Sequence, residues 1–133
     1  MVNFKLKYGL PFCSMDIRHK GRILTLDNIL IDTGSGGTIL KMDEVEKIDI
    51  SIDVTDSIES IQGVGGSEFV YKKVIDEISL GEFCVNDFKV EIGVMDYGFN
   101  IDGIIGINFL KEINAVIDLK NMMIKGENRK LKL

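Results

Sequence analysis

Short apolar runs that alternate with polar residues dominate this chain, and they predict strands far more often than helices. The predicted strands cover residues 12–18, 22–26, 29–31, 48–54, 57–62, 68–80, 82–94, 103–105, 115–118 and 122–125. Two short helices are predicted at 41–47 and 108–113. The sequence has one proline and no low-complexity linker. The pattern therefore predicts one all-β domain over residues 1–133.

Asp32 stands where an apolar run meets a run of small residues. Residues 29–31 are typical of a buried strand, whereas 33–37, Thr-Gly-Ser-Gly-Gly, cannot continue it because clustered glycines break strands. A buried carboxylate is costly unless it is hydrogen-bonded or paired. Two interpretations follow from the residues alone. Asp32 either caps a turn, or it is an acid held in an apolar place for proton chemistry.

Two further segments carry distinctive patterns. Residues 61–66 read Ile-Gln-Gly-Val-Gly-Gly between two strand-like flanks, which predicts a hairpin with a glycine-rich tip. Residues 101–110 read Ile-Asp-Gly-Ile-Ile-Gly-Ile-Asn-Phe-Leu, which predicts a buried strand that leads into a helix. Taken singly, the first segment is an ordinary hairpin turn and the second is ordinary core.

Together and in this order, the three segments resemble the retropepsin-like aspartic proteases, the family of the retroviral proteases. The matching motifs are Asp32-Thr33-Gly34, the glycine-rich hairpin 61–66, and Ile104-Ile105-Gly106 with Asn108 beyond it. The resemblance spans residues 11–124. It implies an all-β, retropepsin-like closed barrel that acts as a two-fold homodimer, and the activity of an aspartic endopeptidase on extended polypeptides.

The resemblance also implies roles for individual residues. Asp32, Thr33 and Gly34 would form the catalytic loop, with Thr33 reaching across the two-fold axis to the other copy. The hairpin tip would close over the substrate as a flap. The residues expected to bind substrate are Ile31, Ser35, Ile39, Ile61, Gly63, Val64, Gly65, Gly66, Ile101, Asp102 and Ile104. The attacking group would be an activated water, so neither a metal nor another cofactor is expected.

Because the sequence contains one copy of Asp-Thr-Gly, we expect each chain to supply half of an active site. The chemistry needs one carboxylate to accept a proton from water and another to donate a proton to the substrate carbonyl. Two nearby acids share one proton because they cannot both ionise readily. A homodimer would supply the second Asp32. The alternative is a retropepsin-like dimeric binding or scaffold module with little or no proteolysis.

The sequence departs from the retroviral pattern at residues 35–37, where Ala and acids are usual, at Ile107, where Arg is usual, and at Asp102. Ser35 follows Gly34 where the retroviral enzymes usually carry Ala, and we predict that its hydroxyl donates a hydrogen bond to Asp32. This bond would lower the carboxylate's pKa. Activity would then fall toward neutral pH, and Ser35→Ala would move the alkaline limb of the pH profile upward. Asp102 either favours a basic substrate side chain or caps the turn before Gly103.

Composition bears on the number of domains, on the classes of binding partner and on the location of the protein. The chain has 133 residues, 45% apolar content and a net charge of −5, which suits one compact domain and argues against nucleic-acid binding. The locally basic segment 125–133 is interpreted as a solvated terminus or an edge strand. No apolar run approaches the ~20 residues of a membrane span. We expect no membrane association, no export signal, and a cytoplasmic location.

The cysteines and the histidine give no sign of a metal site or a nucleophilic relay. Cys13 and Cys84 are expected to be free, buried thiols, although a bridge between them stays open from sequence. His19, the only histidine, lies in a predicted hairpin turn and is expected to be exposed. One histidine with two distant cysteines has no metal-ligand spacing.

Overall fold

A computed structural model describes residues 1–63 and 66–127 of the chain. The strands found in these ranges are β1 Val2–Asn3, β2 Lys5–Lys7, β3 Leu10–His19, β4 Arg22–Ile31, β5 Ile39–Lys41, β6 Ile58–Gly63, β7 Gly66–Leu80, β8 Phe83–Gly93, β9 Gly103–Ile105, β10 Val116–Asp118 and β11 Met123–Lys125. The α-helices are α1 Met42–Val45, which a turn of 3-10 helix at Glu46–Ile48 extends, and α2 Ile107–Glu112. The prediction of a mostly β chain is confirmed.

The strands form two sheets. The larger sheet has the order β2-β3-β4-β9-β5-β8-β7-β6, and an additional antiparallel pairing joins β3 to β7. The hydrogen-bonded pairings therefore run in a closed circuit from β3 through β4, β9, β5, β8 and β7 back to β3. The smaller sheet has the order β1-β11-β10, so the first strand of the chain pairs with the last described strand.

The hydrophobic core has two parts because the long strands bury side chains on both faces. The main cluster includes Ile17, Leu26, Ile75 and Phe109, each with no exposed surface. A second, smaller cluster contains Phe12, Ile39, Val70, Met95 and Ile101, and Leu30, Ile61 and Ile104 pack against it. Alternation of side chains along a strand explains the division, because neighbouring residues point to opposite faces.

The predicted break between residues 26 and 29 is a β-bulge within one strand. β4 continues through Asp27 and Asn28, but its register against β3 shifts between Cys13 and Met15. The shift places an extra residue on β4. A bulge leaves the strand intact while it disturbs the alternation of apolar and polar positions, which is why the sequence pattern indicated two strands.

The prediction of a strand at residues 48–54 is wrong. The 3-10 turn ends at Ile48, and Asp49 has a left-handed backbone with φ 62°. The backbone N–H of Thr55 then donates to the side chain of Asp53 at 2.9 Å, and the N–H of Asp53 donates to Asp56 at 2.8 Å. These local side-chain bonds satisfy the backbone in a turn, which competes with pairing in a sheet.

The expectation of an exposed His19 is also wrong. Its side chain is only 12% exposed, and its Nδ1 accepts a hydrogen bond from the backbone N–H of Asp76 at 3.3 Å. The pairing of β3 with β7, which no sequence pattern indicated, brings this segment of β7 over the end of β3. No disulfide joins Cys13 to Cys84, and Cys13 is buried as expected. Cys84 is half-buried.

Candidate active site

Asp32 lies directly after β4, at the start of a loop that we call the Asp32 loop, residues 32–38. The backbone N–H of Asp32 donates to the carbonyl oxygen of Ile105 at 3.0 Å, so β9 holds the start of the loop. One oxygen of the Asp32 carboxylate accepts a hydrogen bond from the N–H of Gly34 at 2.9 Å. The backbone N–H of Ser35 donates to the carbonyl oxygen of Asp32 at 3.1 Å. The loop therefore fixes the carboxylate with its own backbone.

The start of α2 is hydrogen-bonded to the middle of the Asp32 loop. The backbone N–H groups of Ile107 and Asn108 donate to the carbonyl oxygens of Ser35 and Gly36 at 2.7 and 3.1 Å. These N–H groups belong to the first turn of the helix, where no partner exists within the helix itself. The loop supplies the acceptors, so the hydrogen-bonding groups of the helix start and of the loop satisfy each other.

Thr38 forms the buried polar centre beneath the loop. Its hydroxyl donates to the Asn108 side chain at 2.8 Å and accepts from the backbone N–H of Gly106 at 3.2 Å. Asn108 Oδ1 also accepts from the N–H of Phe109 at 2.8 Å. Thr38 is only 1% exposed, so each of these polar groups needs a protein partner. Sequence reasoning missed the role of Thr38. The small polar residue between Gly37 and an apolar run was the available signal.

Gly106 packs directly on the Asp32 loop. A Cβ atom at this position would lie 2.0 Å from the carbonyl oxygen of Gly37 and 2.6 Å from that of Ser35. No real side chain tolerates either distance. The glycine in Ile104-Ile105-Gly106 is therefore required by close contact between two backbone segments.

The hydroxyl of Ser35 does not reach Asp32, contrary to the prediction. It donates instead to the carbonyl oxygen of Gly37 at 2.8 Å, within the same loop. The predicted effect of Ser35 on the pH profile therefore loses its structural basis. A serine hydroxyl has one hydrogen to donate, and the nearby carbonyl takes it.

The second hydrophobic cluster contains most of the apolar residues that were expected to bind substrate. Ile39, Ile61, Ile101 and Ile104 all belong to it or pack against it. Ile31 does not, because it packs in the main core. Leu30 takes its place, since a shift of one residue along a strand reverses the face that the side chain occupies. We call the side of the large sheet that carries this cluster, together with the strand residues in register with it, the cleft face. The name is chosen because most of the apolar residues expected to bind substrate lie there.

The structure also places the remaining predicted residues. Gly63 pairs with Gly66 at the end of the β6–β7 hairpin, and Val64 and Gly65 lie outside the described residues. The Asp102 carboxylate accepts hydrogen bonds from the backbone and side-chain N–H groups of Asn28 at 3.1 and 3.3 Å. These bonds tie the segment before β9 to β4. The arrangement favours the structural interpretation of Asp102 over a role in binding a basic side chain.

Thr33 and Ile107 border a shallow groove beside the Asp32 loop. The groove has a volume of about 250 Å³ and is lined by Thr33, Ile107, Leu110, Lys111, Asn114, Ala115 and Ile117. Thr33 is exposed, and no hydrogen bond of its hydroxyl is found within residues 1–63 and 66–127. Ile107 is 37% exposed although it is apolar. The groove therefore carries a polar hydroxyl and exposed apolar surface side by side.

Among residues 1–63 and 66–127, no three His, Cys, Asp or Glu side chains come together as ligands of a metal ion. In the same ranges no helix is both long and apolar enough to cross a membrane.

Comparisons with known proteins agree with this geometry. A family model described as aspartyl protease matches residues 16–109. A crystal structure of a retropepsin-like aspartic protease from Rickettsia conorii superposes with a TM-score of 0.70 at 13% identity, covering 96% of this chain and 89% of that one. The retrovirus-related Pol polyprotein from transposon 412 of Drosophila melanogaster is 33% identical over 120 residues. That alignment covers 87% of this chain and 9% of the polyprotein, so the chain spans less than a tenth of its relative.

The fold and the Asp32 loop define a retropepsin-like protein, as the resemblance in sequence predicted. The family model matches well over half of this chain, so the chain belongs to the aspartyl protease family. Membership of this family supports the expected activity of an aspartic endopeptidase.

Proposed function

We propose that two copies of this chain assemble into one active site, in which the two Asp32 carboxylates activate a water molecule to cleave an extended polypeptide. The observation that carries the proposal is the Asp32 loop. The N–H of Gly34 donates to one oxygen of the Asp32 carboxylate, and the motif occurs once in the sequence. A second carboxylate must come from a second chain because the reaction needs both a proton acceptor and a proton donor.

The groove beside Thr33 supports a dimer with a two-fold axis at this position. Thr33 follows Asp32 directly, is exposed, and offers a hydroxyl to a neighbouring molecule. In a two-fold contact the same patch occurs on both copies, so each Thr33 would face the other copy's loop. The exposed Ile107 would be buried by the same contact.

In the proposed mechanism the pair of Asp32 side chains holds one proton, because two adjacent carboxylates cannot both ionise readily. The ionised carboxylate takes a proton from water as the water oxygen attacks the substrate carbonyl carbon. The protonated carboxylic acid donates its proton to the carbonyl oxygen. The tetrahedral intermediate then collapses with cleavage of the C–N bond. The carboxylic acid that took its proton from water protonates the amine nitrogen, and a hydroxyl of the intermediate returns a proton to the other carboxylate.

The cleft face and the β6–β7 hairpin support a substrate in the extended conformation. The face is apolar next to the Asp32 loop, where Leu30, Ile39 and Ile104 lie in register across three strands. The hairpin ends at Gly63 and Gly66, and we propose that it closes over the substrate as a flap. An extended peptide would then be bound by main-chain hydrogen bonds and side-chain pockets.

Asp32→Asn tests this proposal because Asn has nearly the same shape but cannot exchange the proton. We expect the variant to keep its fold and its state of association and to lose peptide cleavage. Asp87→Asn is the matched control, since Asp87 is an exposed acid in β8. Digestion of a peptide library in the presence of a chelator would measure both. Cleavage at the parent's rate by purified Asp32→Asn would overturn the proposal. A parent protein that dimerises but cleaves no peptide would overturn it in favour of a dimeric binding module.

A further inference from the structure

One row of side chains crosses the cleft face from the Asp32 loop toward the hairpin. The register pairs Leu30 with Ile104, Ile104 with Ile39, and Ile39 with Glu91. Paired residues on neighbouring strands point to the same side of the sheet. Glu91 therefore continues the apolar row on the side where the substrate of the proposed function would lie.

Three glutamates occupy this part of the face, and two of them already have partners. Glu59 pairs with Lys72, whose Nζ lies 2.9 Å from its carboxylate. Glu68 accepts hydrogen bonds from the hydroxyl of Tyr97 and, at 3.3 Å, from the backbone N–H of Met95. Glu91 is the third. No hydrogen bond to its carboxylate is found in the part of the chain that the structure describes.

The surroundings of Glu91 disfavour its charge. It is half-buried, and burial is the main cause that raises its pKa, with further contributions from Glu59 and Glu68. Lys72 acts in the opposite direction, but its ammonium group is bound to Glu59. A half-buried carboxylate for which no protein donor is found among the described residues is suited to bind a cation from outside.

Glu91 also touches the Asp32 loop. A Cβ atom on Gly37 would lie 2.9 Å from Oε1 of Glu91, so the absence of a side chain at Gly37 makes room for this carboxylate. The backbone N–H of Glu91 donates to the carbonyl oxygen of Thr38 at 2.9 Å, which fixes the start of the side chain. The Glu91 carboxylate thus lies against the Asp32 loop at Gly37, on a backbone that is hydrogen-bonded to the same loop.

We propose that Glu91 is a specificity-determining residue that binds the guanidinium or ammonium group of a basic side chain in the polypeptide substrate. This inference rests on the proposed function, because it concerns the cleft of that enzyme. β8 is three strands from β4, or about 14 Å at the usual spacing of about 4.8 Å. At about 3.3 Å per extended residue, and with the reach of an arginine side chain, the basic residue lies about two to four positions from the scissile bond.

A matched peptide series tests this role. Each peptide carries apolar residues at the scissile bond and either arginine or citrulline at one position, two to four residues away on either side. Citrulline keeps the shape of arginine without its charge. The measurement is the ratio of kcat/KM for the arginine and citrulline peptides, with the parent, Glu91→Gln and Glu82→Gln. Glu82 is an exposed glutamate in the turn between β7 and β8, far along β8 from Glu91.

We expect the parent to prefer arginine by about tenfold or more at one position, the size of a charge-assisted contact worth about 1.4 kcal/mol. Glu91→Gln should bring the ratio close to one, and Glu82→Gln should keep it. Equal rates for arginine and citrulline in the parent at every position would overturn the inference. So would an unchanged preference in Glu91→Gln.

Binding to the Asp32→Asn protein separates this inference from the proposed function. Fluorescence anisotropy with the same labelled peptides, in Asp32→Asn and in Asp32→Asn/Glu91→Gln, reports affinity without cleavage. Tighter binding of arginine peptides that depends on Glu91 supports the inference even if the parent cleaves nothing. Absence of that preference overturns it even if the parent is an active protease. If Glu91→Gln does not fold, Glu91→Asp, which keeps the charge but shortens the reach, should reduce the ratio.

Discussion

The α-carbon of Gly106 packs so closely against Gly37 that a Cβ atom on Gly106 would lie 2.0 Å from the Gly37 carbonyl oxygen. This contact joins the segment after β9 to the Asp32 loop. The neighbouring bonds from Ile107 and Asn108 to the same loop depend on the same close approach. The geometry of the Asp32 carboxylate therefore rests on a glycine more than seventy residues away.

Gly106→Ala should unfold the Asp32 loop or the whole chain. The methyl group has no space among backbone atoms, and we expect a loss of more than about 4 kcal/mol in the free energy of unfolding. Gly36→Ala is the matched control in the same loop, because a Cβ atom there would meet nothing within 4 Å. It should change stability by no more than about 1 kcal/mol. Urea unfolding of both variants measures the difference, and similar midpoints would contradict the packing argument.

Specific activity should rise with protein concentration, since the proposed site is completed only in the dimer. Thr33→Ala should move the midpoint of this rise to higher concentration, because it removes a hydroxyl from each side of the proposed contact. At about 0.5–1.5 kcal/mol per hydrogen bond, two bonds correspond to about 1–3 kcal/mol. Thr33→Ser should stay close to the parent. Sedimentation at matched concentrations provides the state of association, and full activity in a monomeric sample would contradict the proposal.

Ser35→Ala should leave the alkaline limb of the pH profile where it is in the parent, because the Ser35 hydroxyl donates to Gly37 and not to Asp32. The substitution should instead cost about 1 kcal/mol of stability through the lost bond. Paired kcat/KM profiles and thermal unfolding of the two proteins provide the test. A limb displaced to higher pH would restore the interpretation made from sequence.

Cys13 should resist alkylation far more than Cys84. Burial raises the pKa of the Cys13 thiol from 9.0 to about 12, so at pH 8 its thiolate fraction falls by about a thousandfold. This raised pKa also implies a contribution to stability that is present below pH 9 and is lost as pH rises toward about 12. Peptide mass mapping after iodoacetamide treatment measures both sites. Equal labelling in the folded protein would contradict the burial, and urea should equalise the two.

Local patterns of the sequence predicted much of the secondary structure. β9, β6 and the ends of the β7–β8 hairpin lie within a few residues of their predicted bounds. Each of these segments is a run of apolar or alternating residues bounded by turn residues, so its structure depends mainly on neighbours along the chain. Residues 48–54 have a similar pattern, but Asp49, Asp53 and Asp56 bond to the local backbone and keep them out of the sheet.

Short motifs in the sequence were sufficient to identify the family. Asp32 followed by Thr33 and Gly34, a glycine-rich hairpin, and Ile-Ile-Gly were enough to recognise a retropepsin-like aspartic protease, since these short motifs have local structural requirements. The tertiary structure alone decided which side chains share a surface with Asp32. The bulge in β4 placed Leu30 on the cleft face and Ile31 in the core. The pairing of β5 with β8 brought Glu91 beside the Asp32 loop. Register between strands distant in sequence depends on packing of the whole sheet, so no local pattern specifies it.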